Sequence, residues 1–375
     1  SAWTRLINIR EECLMKKFAL VALSALATVA VGTAQAQEVR VLNWSDYIDE
    51  DLLEKFTDET GIKITYDVFD SNEVLEAKLL AGNSGYDVVV PSASFLARQI
   101  QAGVFQQLDQ SQLPNNVHLW DTIKKATASS DPGNAYSVNY MWGTTGIGVN
   151  VGMVAERLGD DYGSSWDLIF DVDKISKLSD CGVHILDAPT EVIPAAMNYL
   201  GLDPTSQDPA DIEKGGELLE SIRPYVTKFH SPEYIDALAN GEICLALGWS
   251  GDVFIALYEA DDADNGVTIE YIVPDEGALM WFDQMAIPTD AGNVEEAHVF
   301  LNFIMDPENI AAATNYVYYA NGNVTSQPLL DSEVIDDPAI YPPAETQESL
   351  YVLQPYPPRV QRVVTRTWTR VVTGS

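Results

Sequence analysis

From Val39 to Gly103 the chain alternates strand and helix patterns three times, and this order constrains the fold more than any other feature. "VRVLNW" and "YDVVVP" are short apolar runs of strand type, and "IKITYDVF" alternates apolar residues with others. Between them, "DEDLLEKFTDETG" reads as a helix with acidic residues in its first turn and Gly61 as its stop. "SNEVLEAKLLAG" reads as a helix capped by Ser71 or Asn72 and ended at Gly82, and "SASFLARQIQAG" is a helix closed by Gly103. A β-α-β-α-β-α order predicts an α/β fold on a parallel, doubly wound sheet. In such sheets ligands bind beyond the carboxyl ends of the strands. "NWSDY" (43–47) and "PSAS" (91–94) stand at such ends.

A second α/β region follows. "YMWGTTGIGVN" starts a new strand pattern, and "VHILDAP", "EICLALGWSGD" and "TIEYIVP" are strand-like; "EVIPAAMNYLG", "SPEYIDALANG" and "GDVFIALYEA" are helix-like, and "MWFDQMAIP" leads into "NVEEAHVFLNFIMD", an amphipathic helix. The tail "VVTRTWTRVVTGS" is rich in Thr and Arg and reads as a strand-like or packed segment with no assigned role.

The N-terminal segment carries targeting information. Met15 is followed by Lys16 and Lys17, an apolar run from Phe18 to Val31, and small residues at Ala34 and Ala36. This is the pattern of a secretory signal peptide over 15–36, cleaved after Ala36. The run is about 14 residues, too short to anchor a mature protein across a bilayer. Residues 1–14 read as a non-native upstream extension, so the mature chain is expected to start at Gln37 in the periplasm. Lys and Arg number 21 against 56 Asp and Glu, a net charge of −35. Arg5, Arg10, Lys16 and Lys17 against Glu11 and Glu12 leave with the leader, so the mature chain is near −37. Nucleic acid and anionic membranes are poor partners for that charge, whereas a cationic ligand is compatible with it. Much of the acidity serves as a solvated surface. Two cysteines remain, Cys181 and Cys244; an even count in an exported chain suits a disulfide, with two buried thiols as the alternative.

Catalytic signatures are missing. His118, His184, His230 and His298 have no metal-ligand spacing, "GTTGIG" is not a dinucleotide fingerprint, and "GWSGD" is not a nucleophile elbow. No cofactor or metal is expected. What recurs instead is a set of loops rich in aromatic rings and acids: "NWSDY", "GWSGD" (248–252) and "MWFDQ" (280–284) carry both, "DAPTE" (187–191) carries acids alone, and "VYYANGN" (317–323) carries rings with amides. Four follow strand patterns and are expected where strands end; the last follows a helix. Ammonium over a Trp or Tyr face gains about 0.5–2 kcal/mol, and a carboxylate adds a charge-assisted hydrogen bond. Several of each along one slot suit a flexible chain with an amine at both ends. Singly, each ring is more often core than site.

The residues "NWSDYI", "FDSNEVLEAKL", "YDVVVPSASFLARQ", "YMWGTTGIGVN", "CGVHILDAP", "ANGEICLALGWSGDV" and "YYANGN" closely resemble the periplasmic polyamine-binding proteins of ABC importers. The resemblance covers the mature chain. It implies two α/β lobes joined by a hinge, a polyamine (putrescine or spermidine) trapped between them, a membrane permease as partner, a monomer, and no catalysis. It places lobe I at 37–142 and 285–330, lobe II at 143–284, and a C-terminal segment, 331–375, packed on the lobes. Residue by residue, it implies that Trp44, Tyr47, Trp249, Trp281 and Tyr319 line an aromatic slot. Ser45 and Asp46 would meet one amine end, supported by Asp252. Glu191 and Asp283 would hold the other, and Ser92, with Ser94, Phe95 and Ser231, would complete the wall. Cys181 and Cys244 match the family's disulfide positions. Trp281 leaves the length of the polyamine open, because some putrescine binders carry Phe there. A binder of another organic cation or amino acid, and a secreted hydrolase using paired carboxylates, are the competing readings.

Overall fold

The computed structural model describes residues 37–374; the leader and the upstream extension lie outside the described residues. The N-terminal alternation folds in the expected order: β1 (Glu38–Trp44), α1 (Glu50–Thr60), β2 (Lys63–Phe69), α2 (Asn72–Ala81), β3 (Val88–Val89) and α3 (Ala93–Gln101). The punctuation residues act as their chemistry dictates. The Ser71 hydroxyl accepts from the Val74 amide at the start of α2, and Gly61 closes α1 in the left-handed region at φ 72°. β1 pairs in parallel with β2 on one side and β3 on the other.

The remaining strands are β4 (Ser137–Asn150), β5 (Val183–Ile185), β6 (Lys228–Phe229), β7 (Leu245–Trp249), β8 (Ile269–Ile272), β9 (Leu279–Ala286) and β10 (Ala320–Asn321). The sheet order is β2-β1-β3-β9-β4-β7-β5-β6, with β8 and β10 also paired to β4. The expectation of parallel sheets holds at both flanks, where β1 pairs with β2 and β3, and β5 with β6 and β7. It fails in the middle: β4 runs antiparallel to β7, β8, β9 and β10, and β3 to β9. The cause is β4 itself. Its 14 residues are buried throughout, long enough to leave one layer and enter the next.

Two apolar cores flank that strand. One gathers Val39, Phe56, Leu75, Val89, Phe300 and Ile310. The other gathers Trp166, Leu178, Ile185, Leu219, Leu245 and Val253. β4 gives Val138, Tyr140 and Met141 to the first and Trp142, Ile147 and Val149 to the second. β9 gives Met285 and Ala286 to the first and Phe282 to the second. A third change of core falls between Tyr319 and Ala320. The two lobes are therefore joined by three strand-like crossings, and a bulge between Asn139 and Met141 interrupts the β4–β9 register there.

Four more helices matter for the site: α4 (Pro189–Tyr199), α5 (Pro209–Ile222), α6 (Ser250–Ala263) and α7 (Pro307–Val317). The C-terminal tail is not strand-like. It forms α8 (Pro358–Thr373), which presents Val360, Val363, Val364, Thr367, Trp368 and Val371 inward. Their helical spacing outweighs the β-branched composition that suggested a strand. Thr367 packs where Gly216 of α5 leaves room, since a Cβ there would stand 2.2 Å from its methyl. Cys181 and Cys244 form a disulfide just ahead of the paired strands β5 and β7, closing 63 residues.

Candidate ligand-binding site

Strand ends and one helix end place the aromatic residues. Trp44 closes β1, and the chain turns through Asp46 in the left-handed region at φ 53°, which Asp tolerates. That turn brings Tyr47 inward. Trp249 closes β7, and α6 begins at once with Ser250, carrying Asp252 in its first turn. α7 ends on Tyr318, a bulky residue in the left-handed region at φ 58°, whose ring stacks on Tyr258 at 4.3 Å. The following residue, Tyr319, then points to Asp252. "MWFDQ" departs from expectation: it lies inside β9 opposite the β4 bulge, so the strand pleat and not a loop aims Trp281 and Asp283.

A narrow slot, with about 30 Å³ open to water-sized groups, is lined by Trp44, Ser45, Tyr47, Ser92, Glu191, Trp249, Asp252, Trp281, Asp283 and Tyr319. Ten of the residues singled out from sequence thus meet at one place. The rings crowd edge to face: Trp44 and Trp249 at 5.5 Å between centroids, Tyr47 and Tyr319 at 5.0 Å. Trp281 and Tyr319 lie at 5.4 Å. Two glycines make the walls possible. A Cβ on Gly251 would stand 2.3 Å from the Tyr319 ring, and one on Gly143 would stand 2.8 Å from the Trp281 ring.

Three carboxylates face this space, each held by two neutral donors. Asp252 accepts from the hydroxyls of Tyr319 at 2.6 Å and Tyr234 at 2.8 Å. Asp283 accepts from Ser92 at 2.7 Å and Tyr47 at 2.8 Å. Glu191 accepts from Thr145 at 2.6 Å and the Trp249 indole at 2.9 Å. Burial pushes all three carboxyls up to about 7, against the opposing pull of these hydrogen bonds. Asp283 adds to the rise at Glu191, and Asp46 adds to it at Asp252. No lysine or arginine pairs with any of the three among the described residues.

Four of the expected residues do not line this cavity. Asp46 stands at the rim, in two adjoining grooves, one of which it shares with Asp252. Ser94 lines a neighbouring cavity beyond Trp281. Phe95 is buried, with the Arg98 guanidinium over its ring at 4.1 Å. Ser231 is buried next to Pro232 of the rim, with no hydrogen-bond partner for its hydroxyl among the described residues. Sequence reasoning missed Tyr234 and Thr145, which orient Asp252 and Glu191. It also missed Glu73, a half-buried carboxyl that loss of water pushes up to about 7 and that accepts from Thr190 at 3.3 Å. Nothing local marks these three; only the fold brings them to the site.

With this geometry in hand, the similarity to known proteins is informative. The model of the bacterial extracellular solute-binding proteins matches residues 51–342. The chain belongs to that family. This solute-binding protein is 52% identical to the putrescine-binding periplasmic protein SpuD of Pseudomonas aeruginosa, over 96% of this chain and all of that one. It is 48% identical to the putrescine-binding periplasmic protein PotF of Escherichia coli, over 93% and 96%. Among solved structures it resembles the spermidine/putrescine ABC transporter substrate-binding protein PotD of Streptococcus pneumoniae. There the TM-score is 0.72 at 29% identity, covering 89% of this chain and 98% of that one.

Proposed function

We propose that this solute-binding protein captures a polyamine, putrescine or spermidine, between its lobes and delivers it to the permease of an ABC importer. The observation that carries the reading is the set of three carboxylates without cations, Asp252 and Asp283 buried and Glu191 half-buried, along an aromatic-walled slot. Such groups call for an ammonium at each end and methylenes between. Asp252 takes one terminal ammonium, with Ser45 and Asp46 at the rim on that side. Glu191 and Asp283 take the other. Trp44, Tyr47, Trp249, Trp281 and Tyr319 enclose the chain, and Ser92 holds Asp283 in place. The names of the relatives support the ligand class and, by calling those proteins periplasmic, support export; cleavage after Ala36 rests on the small residues Ala34 and Ala36. The hinge is taken as the crossings of β4 and β9 and the Tyr319–Ala320 step, so that the return to lobe I ends at 319 and not at 330, and the protein works as a monomer without catalysis.

Calorimetric titration with putrescine, cadaverine, spermidine, spermine and lysine tests the assignment. One-to-one binding of one or more of the polyamines, with lysine far weaker, supports it. Preference for the amino acid, or turnover of a polyamine conjugate, rejects it. A mature N-terminus other than Gln37 or its neighbours, read by mass from periplasmic protein, rejects the cleavage site.

A further inference from the structure

Behind the hinge lies a second cavity that polyamine capture does not use. It offers about 440 Å³ to water-sized groups, in the lower half of the 300–1,000 Å³ usual for small-molecule sites. Its chemistry is the reverse of the first. In a chain with 56 acidic side chains, none lines it. Carboxamides and hydroxyls do, among them Gln107, Asn134, Ser137, Asn139 and Gln284, together with the ammonium of Lys124. Lys124 donates to the Asn116 carbonyl at 3.1 Å and has no ion-pair partner among the described residues, so donors remain for a ligand. Of the acids near lining residues in sequence, Asp131 accepts from the amides of Ala135, Tyr136 and Ser137 and from the Ser137 hydroxyl. Asp109 accepts from the Ser111 amide and hydroxyl and the Gln112 carboxamide, and Asp121 lies one turn before Lys124.

The position matters as much as the lining. Ser137 and Asn139 belong to β4, and Gln284 to β9, the strands that cross between the lobes. Asn139 donates to Gln284 at 2.9 Å, and Gln284 to Ser137 at 3.1 Å, across the bulge. Asn139 also donates to the Asp283 carbonyl at 3.2 Å. Strand alternation sets Asp283 toward the polyamine slot and Gln284 toward this cavity, so the two spaces lie back to back across one strand.

The geometry points to a second binding site for a small organic carboxylate, whose occupancy changes polyamine affinity through β4 and β9. Lys124 and the Asn134 amide meet the carboxylate, and the second Nε2 hydrogen of Gln284 meets its remaining polar groups, the Asn139 amide being spent on Met141, Asp283 and Gln284. Coupling follows because a ligand gripping the bulge favours one arrangement of the crossing strands, and linkage makes the effect reciprocal.

The test uses the mature protein with sodium succinate, sodium gluconate and, as an uncharged control, glucose. Calorimetry should show one-to-one binding of at least one carboxylate, weakened fivefold or more in Lys124→Ala and in Asn134→Asp. Binding should persist in Asp252→Asn, which alters the polyamine slot but not this cavity. Saturating carboxylate should shift the putrescine dissociation constant of the parent threefold or more, with no shift in Lys124→Ala. The site is overturned if neither carboxylate binds at 10 mM, if glucose binds as tightly, or if Lys124→Ala binds like the parent. Loss of carboxylate binding in Asp252→Asn places it in the slot and overturns the site as well. Binding that leaves putrescine affinity unchanged overturns the coupling.

Discussion

Asp252, Glu191 and Asp283 are paired with hydroxyls and an indole rather than with cations. Neutral donors orient a buried carboxylate without cancelling its charge, so the ionised form stays under-stabilised until an ammonium arrives. Removing one charge leaves an ammonium desolvated and unpaired, which typically costs about 2–5 kcal/mol. Asp252→Asn and Glu191→Gln are each expected to weaken polyamine binding tenfold or more, as read by calorimetry; parental affinity in either variant removes that residue from the site. The raised carboxyls also make binding pH-dependent. A group that titrates at about 7 without ligand holds its proton at pH 6 and must release it to pair with an ammonium. Affinity therefore falls as pH drops from 8 to 6, and protons are released on binding. Titration in buffers of different ionisation enthalpy checks this, and an enthalpy independent of buffer at pH 6.5 contradicts it. The carboxylates and rings were legible in sequence because each stands beside others of its kind. Tyr234 and Thr145 were not, since a tyrosine at the first position of a short helix and a threonine within a strand carry no local mark of what they will orient.

At the scale of elements, glycine decides how close two pieces can come. α6 starts beneath Tyr319, and Gly251 is the point of contact. Its backbone needs no left-handed conformation; the requirement is space alone. Gly251→Ala would drive a methyl into the Tyr319 ring and displace the hydroxyl that bonds Asp252. The expected result is a loss of polyamine affinity of about tenfold, since a misplaced charge-assisted hydrogen bond is worth about 1.5–3 kcal/mol. A variant that folds, melts within a few degrees of the parent and binds equally well would show that the contact can relax. Most elements were readable from their periodicity, and α2 from its cap. The antiparallel β4 was not. The sequence shows a long apolar run, but which neighbours it pairs with is set by the two cores it joins. α8 was obscured by its Thr and Val content, although its buried positions keep helical spacing. The Cys181–Cys244 bridge closes 63 residues ahead of β5 and β7. Chain-entropy reasoning credits a loop of that size with about 4 kcal/mol.

At the scale of the molecule, residues from both sides meet across the slot: Trp44 against Trp249, and Glu73 bonded by Thr190. Arg98 on α3 also reaches Gln361 on α8 at 3.1 Å. A flexible polyamine loses rotamer freedom on binding, and contacts from both lobes offset that loss only when the lobes are together. Differential contact is what drives closure, so ligand addition is expected to lower the radius of gyration in solution scattering. It also raises the melting temperature, because only the folded state binds. Within the closed arrangement Trp281 is placed to read ligand length. It lines the slot on one side and the neighbouring cavity, with Ser94 and Leu353, on the other. Gly143 gives its ring room, and its indole nitrogen has no hydrogen-bond partner among the described residues. A ring at that junction offers π surface to a secondary amine beyond the reach of a diamine. Trp281→Phe narrows the surface without adding charge, so it should weaken spermidine more than putrescine. Equal losses for the two ligands, together with scattering unchanged on ligand addition, would overturn both the closure and the length gauge. A spermidine-selective loss alongside closure would assign Trp281 the discrimination that the carboxylates, common to both ligands, cannot supply.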